Sequence, residues 1–117
     1  MSAMHLLFVY GTLRRGFRHH GELRGARFLG SVRTQPTYAL VDFGPYPGLV
    51  GGTRAIAGEL YEVPGALMAA LDAFEGDEYV RGNVVLEDGR IAEAYFVRPE
   101  YRHRARPLAA DTWAGPD

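Results

Sequence analysis

Cysteine is absent from the 117 residues, which removes disulfides, thiolate metal sites and thiol nucleophiles together. The four histidines, His5, His19, His20 and His103, have no metal-ligand spacing with a second histidine or a carboxylate, so no metal is expected. No apolar run approaches the roughly 20 residues of a membrane-crossing helix. The N-terminus has no basic segment leading into a long apolar stretch. These absences set the expectation of a cytoplasmic protein without a membrane partner. Charge of one sign is also lacking: the net charge is −1, and the arginines are scattered, so no nucleic-acid partner is expected. The exception is Arg98, Arg102, Arg104 and Arg106, read as a solvated strand or tail. A phosphate-binding Walker loop would need a Lys-Ser/Thr end that is missing, and no serine sits in a nucleophile elbow. Repeats and low-complexity segments are missing too.

What is present is an ordinary globular composition, 47% hydrophobic and 23% charged. It fits a single domain over residues 1–117, long enough to bury a core without staples. Residues 5–10 form an apolar run that reads as a buried strand. Residues 11–16 are a glycine-opened loop, and residues 17–23 a short helix or irregular turn. Residues 26–34 and 37–42 read as strands, residues 44–48 as a rigid loop of prolines and glycines, and residues 54–63 as an alternating strand. Pro64-Gly65 opens the one clear helix, Leu67, Leu71 and Phe74 form its apolar stripe, and Gly76 ends it. Two further strands, residues 79–87 and 90–97, flank Asp88-Gly89, a hairpin signal. The pattern predicts an α+β fold dominated by strands, the sheet mostly antiparallel or closed into a barrel.

Two places could carry chemistry. At Tyr10-Gly11-Thr12-Leu13 a strand delivers successive N–H groups into a tight loop, a small anion-binding nest suited to a carboxylate. Glu75 follows Phe74 at the helix C-terminus, where apolar surroundings and the helix dipole both disfavour its charge. A carboxylate raised in this way suits a general base working near neutral pH. Asp72, three residues earlier, is expected to face solvent, and His19-His20 to be a solvated pair. Tyr46, in the proline-glycine loop, and Tyr79 are candidate pocket walls, as are Arg14 and Arg15. Arg81 is a candidate site residue that could pair with Glu75 or with a neighbouring acid; pairing with Glu75 would weaken the base.

The segment from Phe8 to Gly16, Phe-Val-Tyr-Gly-Thr-Leu-Arg-Arg-Gly, resembles the N-terminal signature of the gamma-glutamylcyclotransferase-like superfamily. Tyr46-Pro47-Gly48-Leu49, Gly58-Glu59-Leu60-Tyr61-Glu62-Val63, Leu71-Asp72-Ala73-Phe74-Glu75-Gly76 and Tyr79-Val80-Arg81 follow in the superfamily's order. The resemblance spans residues 8–96 and implies a small β-barrel with flanking helices and a pocket at one end. It further implies an enzyme that converts γ-glutamyl amines or peptides into 5-oxoproline and a free amine, amino acid or peptide. Glu75 would be the catalytic acid/base and Tyr10, Gly11, Thr12 and Leu13 the substrate cradle, with no cofactor. Val80-Arg81 departs from many members, which bears on substrate preference. A non-catalytic module that binds a small carboxylate ligand is the alternative on the same cradle.

Overall fold

The computed structural model describes residues 3–116; Met1, Ser2 and Asp117, the ends of the domain expected over residues 1–117, lie outside the described residues. The chain runs β1 (Met4–Val9), a 3-10 turn at His20–Leu23, β2 (Arg27–Arg33), β3 (Tyr38–Asp42), β4 (Pro47–Gly51), β5 (Ala57–Pro64) and α1 (Gly65–Glu75). It continues through β6 (Tyr79–Val85), β7 (Ile91–Val97), a second 3-10 turn at Pro99–Arg104 and β8 (Arg106–Leu108). The predicted helix and the late hairpin are both present. Gly76 ends α1 at φ 74° with its N–H donating to the Asp72 carbonyl, and Gly89 turns the β6–β7 hairpin at φ 90°.

All eight strands belong to one sheet, ordered β2-β5-β1-β7-β4-β3-β8, with β6 on β7. Most pairings are antiparallel, but β1 and β4 both run parallel to β7. The sheet is therefore mixed, and no full strand pairing closes it: the ends of β2 and β6 meet only through the bridge of Thr34 with Leu86. The reason is a fork. Strand β6 occupies one edge of β7 along its length, while the other edge is shared, with Leu7 beside Glu93 and Leu49 beside Phe96. Strands β1 and β4 part there instead of continuing a single cylinder.

Both faces of the sheet are covered, which explains why β1 reads as a continuous apolar run. Leu7 and Val9 join Val63, Met68, Leu71 and Val97 in the core under α1. Phe8 and Tyr10 point the other way, into a core with Leu49, Leu60, Val84, Ala94 and Trp113. Strand β5 buries Leu60 and Tyr61 in succession because each belongs to a different core.

Three local readings need correction. Pro47 and Gly48 begin β4 rather than sitting in a loop: Pro47 pairs with Asp42 at the start of the strand, a position that tolerates proline. The arginine-rich stretch is a 3-10 turn followed by β8, which pairs with β3. The tail is tied down by Trp113, which is buried against Phe17.

Candidate active site

A pocket of about 310 Å³ opens where the sheet forks, lined by both arms of the fork and by the end of α1. The end of β1 and the loop after it contribute Val9, Tyr10, Gly11, Thr12 and Leu13; the β3–β4 turn contributes Tyr46 and the start of β4 Pro47. Facing these are Phe74, Glu75, Glu78 and Tyr79, with Tyr95 from β7.

The loop wall is built by close approach. A Cβ on Gly11 would stand 2.8 Å and 2.9 Å from the ring carbons of Pro47, closer than packed carbons come, so only glycine lets the loop pass the start of β4. The loop then folds on itself: the N–H groups of Arg14, Phe17, His19 and His20 donate to the carbonyls of Gly11, Arg14, Thr12 and Phe17. Arg14 fixes it from outside, donating from Nε to the Gly11 carbonyl at 3.2 Å and from Nη2 to the Trp113 carbonyl. Among the described residues, no turn or loop hydrogen bond is donated by Gly11, Thr12 or Leu13. Buried backbone N–H groups ordinarily have partners, and these three residues all line the pocket.

Glu75 faces them from α1. The buried face of that helix runs through Met68 and Leu71, and Glu75, four residues after Leu71, continues it. The stripe therefore differs from the predicted one: Phe74 turns out of the core and lies edge-on against the His19 ring, centroids 5.1 Å apart. A carboxylate at the end of an apolar stripe loses water without gaining a partner. Burial raises the Glu75 pKa from 4.5 to about 7, and no neighbouring charge or hydrogen bond offsets it.

Four tyrosines, Tyr10, Tyr46, Tyr79 and Tyr95, are near enough for the Glu75 charge to raise their own pKa values. Burial is the largest cause in each, and holds Tyr46 at about 12. None of these hydroxyls donates to Glu75. Tyr10 donates to the Tyr95 carbonyl at 2.6 Å, Tyr46 to Glu78, Tyr79 to the Pro47 carbonyl, and Tyr95 to Asp72 Oδ1 at 2.7 Å. Carbonyls and ionised carboxylates only accept, so in every case the tyrosine proton is committed elsewhere.

The remaining candidates divide. Arg81 is absent from the pocket lining and does not pair with Glu75. Its Nη1 donates to Glu93 Oε2 at 2.8 Å and its Nη2 lies 3.2 Å from Asp72 Oδ2, which answers the question of its partner. Asp72, expected to face solvent, is thus engaged by Arg81 and Tyr95 at once. Arg14 and Arg15 also stand outside the lining; Arg15 packs over Phe28 and pairs with Glu59 at 3.5 Å. Four polar lining residues are not among the sequence candidates: Arg18, His19, Glu78 and Tyr95. His19, expected to be solvated with its neighbour, lines the pocket, while His20 sits 2.9 Å from the Leu13 carbonyl. The loop is folded there by the His19 N–H bond to the Thr12 carbonyl, and the His19 ring packs against Phe74. Among the described residues no cluster of His, Asp and Glu could hold a metal ion, and no helix is long and apolar enough to cross a membrane.

Comparison with known proteins gives this geometry a family. The sequence profile described as "Gamma-glutamyl cyclotransferase, AIG2-like" matches residues 7–115. A Vibrio cholerae relative with a provisional gamma-glutamylcyclotransferase name is 49% identical over 71 residues, 61% of this chain and 62% of its own, so the match spans less than two thirds of that relative. A Niallia circulans protein named gamma-L-glutamyl-butirosin B gamma-glutamyl cyclotransferase is 41% identical over 70 residues, 59% of this chain and 44% of its own. The crystal structure of c4763, a uropathogenic Escherichia coli-specific protein, superposes with a TM-score of 0.84 at 26% identity, covering 91% of this chain and 88% of that one. With a family profile that takes in both the nest after β1 and the acidic end of α1, the chain belongs to the gamma-glutamyl cyclotransferase, AIG2-like family.

Proposed function

We propose that this chain releases 5-oxoproline from a small γ-glutamyl compound, with Glu75 as the general acid/base. The observation that carries the reading is the unpaired, buried Glu75 across one pocket from the free N–H groups of residues 11–13. The substrate supplies its own nucleophile. Its α-ammonium gives a proton to the Glu75 carboxylate, and the freed amine attacks the γ-carbonyl carbon to close a five-membered ring. The bond from that carbon to the leaving nitrogen then breaks as Glu75 returns its proton to that nitrogen, and the second proton of the ring nitrogen passes to the freed amine, which departs as an ammonium. Holding both ends of one molecule in a folded shape gives the attack a large effective concentration. The nest of Gly11, Thr12 and Leu13 anchors the α-carboxylate, and Tyr10 fixes the base of that loop through its bond to β7. No step calls for a metal, a nucleotide or a covalent enzyme intermediate.

A carboxyl group near pH 7 is matched to this double duty, since it both takes and returns a proton at neutral pH. The pocket, at about 310 Å³, suits a small-molecule substrate. The name of the Niallia circulans relative, a cyclotransferase of gamma-L-glutamyl-butirosin B, supports a reading in which the substrate is a γ-glutamyl compound. The test is mass-spectrometric detection of 5-oxoproline from purified protein offered γ-glutamyl amines, γ-glutamyl amino acids and glutathione. Release that disappears in Glu75→Gln supports the reading. Saturable binding without turnover would instead make the protein a carboxylate-binding module.

A further inference from the structure

Glu75 is not the only carboxylate on its helix turn. Asp72 precedes it by three residues, which places the two on adjoining parts of the α1 surface. Tyr95 is buried and lines the same pocket as Glu75, while its hydroxyl reaches out of that lining to Asp72. A tyrosine hydroxyl has one proton, and this one goes to Asp72 Oδ1 at 2.7 Å. The other oxygen of Asp72 lies 3.2 Å from Arg81 Nη2, and Arg81 is held in turn by Glu93, which lies 2.9 Å from His5 Nδ1. The result is a braced acceptor. Asp72 cannot swing away from Tyr95 without leaving Arg81, and Arg81 is fixed to β7 through Glu93.

We propose that Asp72 is a positioning residue that keeps the Tyr95 hydroxyl from donating to Glu75, so that the base stands without a hydrogen bond. A donor on the carboxylate would stabilise its charged form and make it a poorer base. The inference rests on Glu75 as the reacting acid, but its first readout does not depend on turnover.

Other groups face Glu75 and enter the same balance. Arg18 and His19 come from the loop after β1, and Glu78 and Tyr79 from the chain after α1. Tyr46 comes from the β3–β4 turn, and Tyr10 from the end of β1. The titratable groups of β5 that lie nearest, Glu59 and Tyr61, bond to one another and to Arg15 and stay outside the pocket lining. Of the four tyrosines around Glu75, only Tyr95 and Tyr46 have a side-chain acceptor, and only the acceptor of Tyr95 shares the helix of Glu75.

The experiment is a double-mutant cycle read by titration. Protein labelled with carbon-13 at the glutamate carboxyl is followed by NMR across pH, with the Glu75 signal assigned by its loss in Glu75→Gln. Asp72→Ala removes the acceptor and frees the Tyr95 hydroxyl, and the Glu75 midpoint is expected to fall by about one pH unit. Removing the donor as well, in Asp72→Ala with Tyr95→Phe, is expected to restore most of that fall. The acid limb of kcat/KM should move in parallel. An unchanged midpoint in Asp72→Ala overturns the proposal. So does a fall that persists undiminished in the Tyr95→Phe background, because loss of the Asp72 charge alone would then account for it. If no γ-glutamyl compound is turned over while the midpoint moves as expected, the catalytic reading fails and this one stands.

Discussion

Asp72 and Glu75 are two carboxylates on one helix turn with opposite surroundings. Asp72, its side chain 41% exposed, accepts from Tyr95 and Arg81 and belongs to a chain of charges that runs through Glu93 to His5. Glu75 is more deeply buried and has neither cation nor donor, although Tyr10, Tyr46, Tyr79 and Tyr95 surround it. Arg81, the cation beside Asp72, is occupied by the two acids outside the pocket. Residue type therefore says little about what a carboxylate here can do. The contrast lies in how the neighbours are already bonded, and an acid left out of those bonds is the one poised to exchange a proton.

The largest expected effect breaks the contrast at Glu75. Glu75→Gln should lower 5-oxoproline release by about a thousandfold, the usual scale for a lost acid/base. Asp72→Asn should retain most of the turnover at pH 8, where Glu75 is ionised in either protein. Measured kcat/KM on one γ-glutamyl substrate checks both.

The same substitution should stabilise the fold. With a folded pKa of about 7 against 4.5, Glu75 holds its proton more tightly when folded. Stability is then greatest below that window and is lost as pH rises through it, by about 3 kcal/mol once both states are ionised. Glu75→Gln removes this penalty. Urea unfolding should find the variant more stable by about 3 kcal/mol at pH 8 and equal to the parent near pH 4. A variant less stable at pH 8 would mean that Glu75 has a partner.

Activity carries the same signature. The acid limb of kcat/KM should have its midpoint near pH 7, where Glu75 gains its proton, falling tenfold per pH unit below it. A limb near pH 4.5 would place Glu75 in water and erase its difference from Asp72. The smallest effect belongs to the outer cluster. Arg81→Ala should cost about 1 kcal/mol, since its ion pairs are partly exposed, and thermal unfolding at moderate salt would measure it.

Much of this arrangement is legible along the chain, because it follows from local geometry. The apolar run into Tyr10-Gly11 announces a strand that stops at a tight loop, and Pro64-Gly65 and Gly76 bracket α1 closely. Glu75 is marked by its place beside apolar residues at a helix end, even though the buried stripe runs through Met68 and Leu71 rather than Phe74. Helical periodicity, turn chemistry and the desolvation of a carboxylate all act within a few residues, so the sequence by itself determines the elements and the acid. Pairings between distant strands decide the rest. The shared edge of β7 opens the sheet into a fork rather than a barrel, with Leu7 and Leu49 on the same side of one strand. The same packing sends Arg81 to Asp72 and Glu93, turns His19 and Glu78 toward the pocket, and commits each surrounding tyrosine proton elsewhere. Those partners sit on different elements, as far as 85 residues apart in sequence, and a hydrogen bond is chosen only when folding brings donor and acceptor together; for that reason the tertiary structure alone decides which of the two acids is left free.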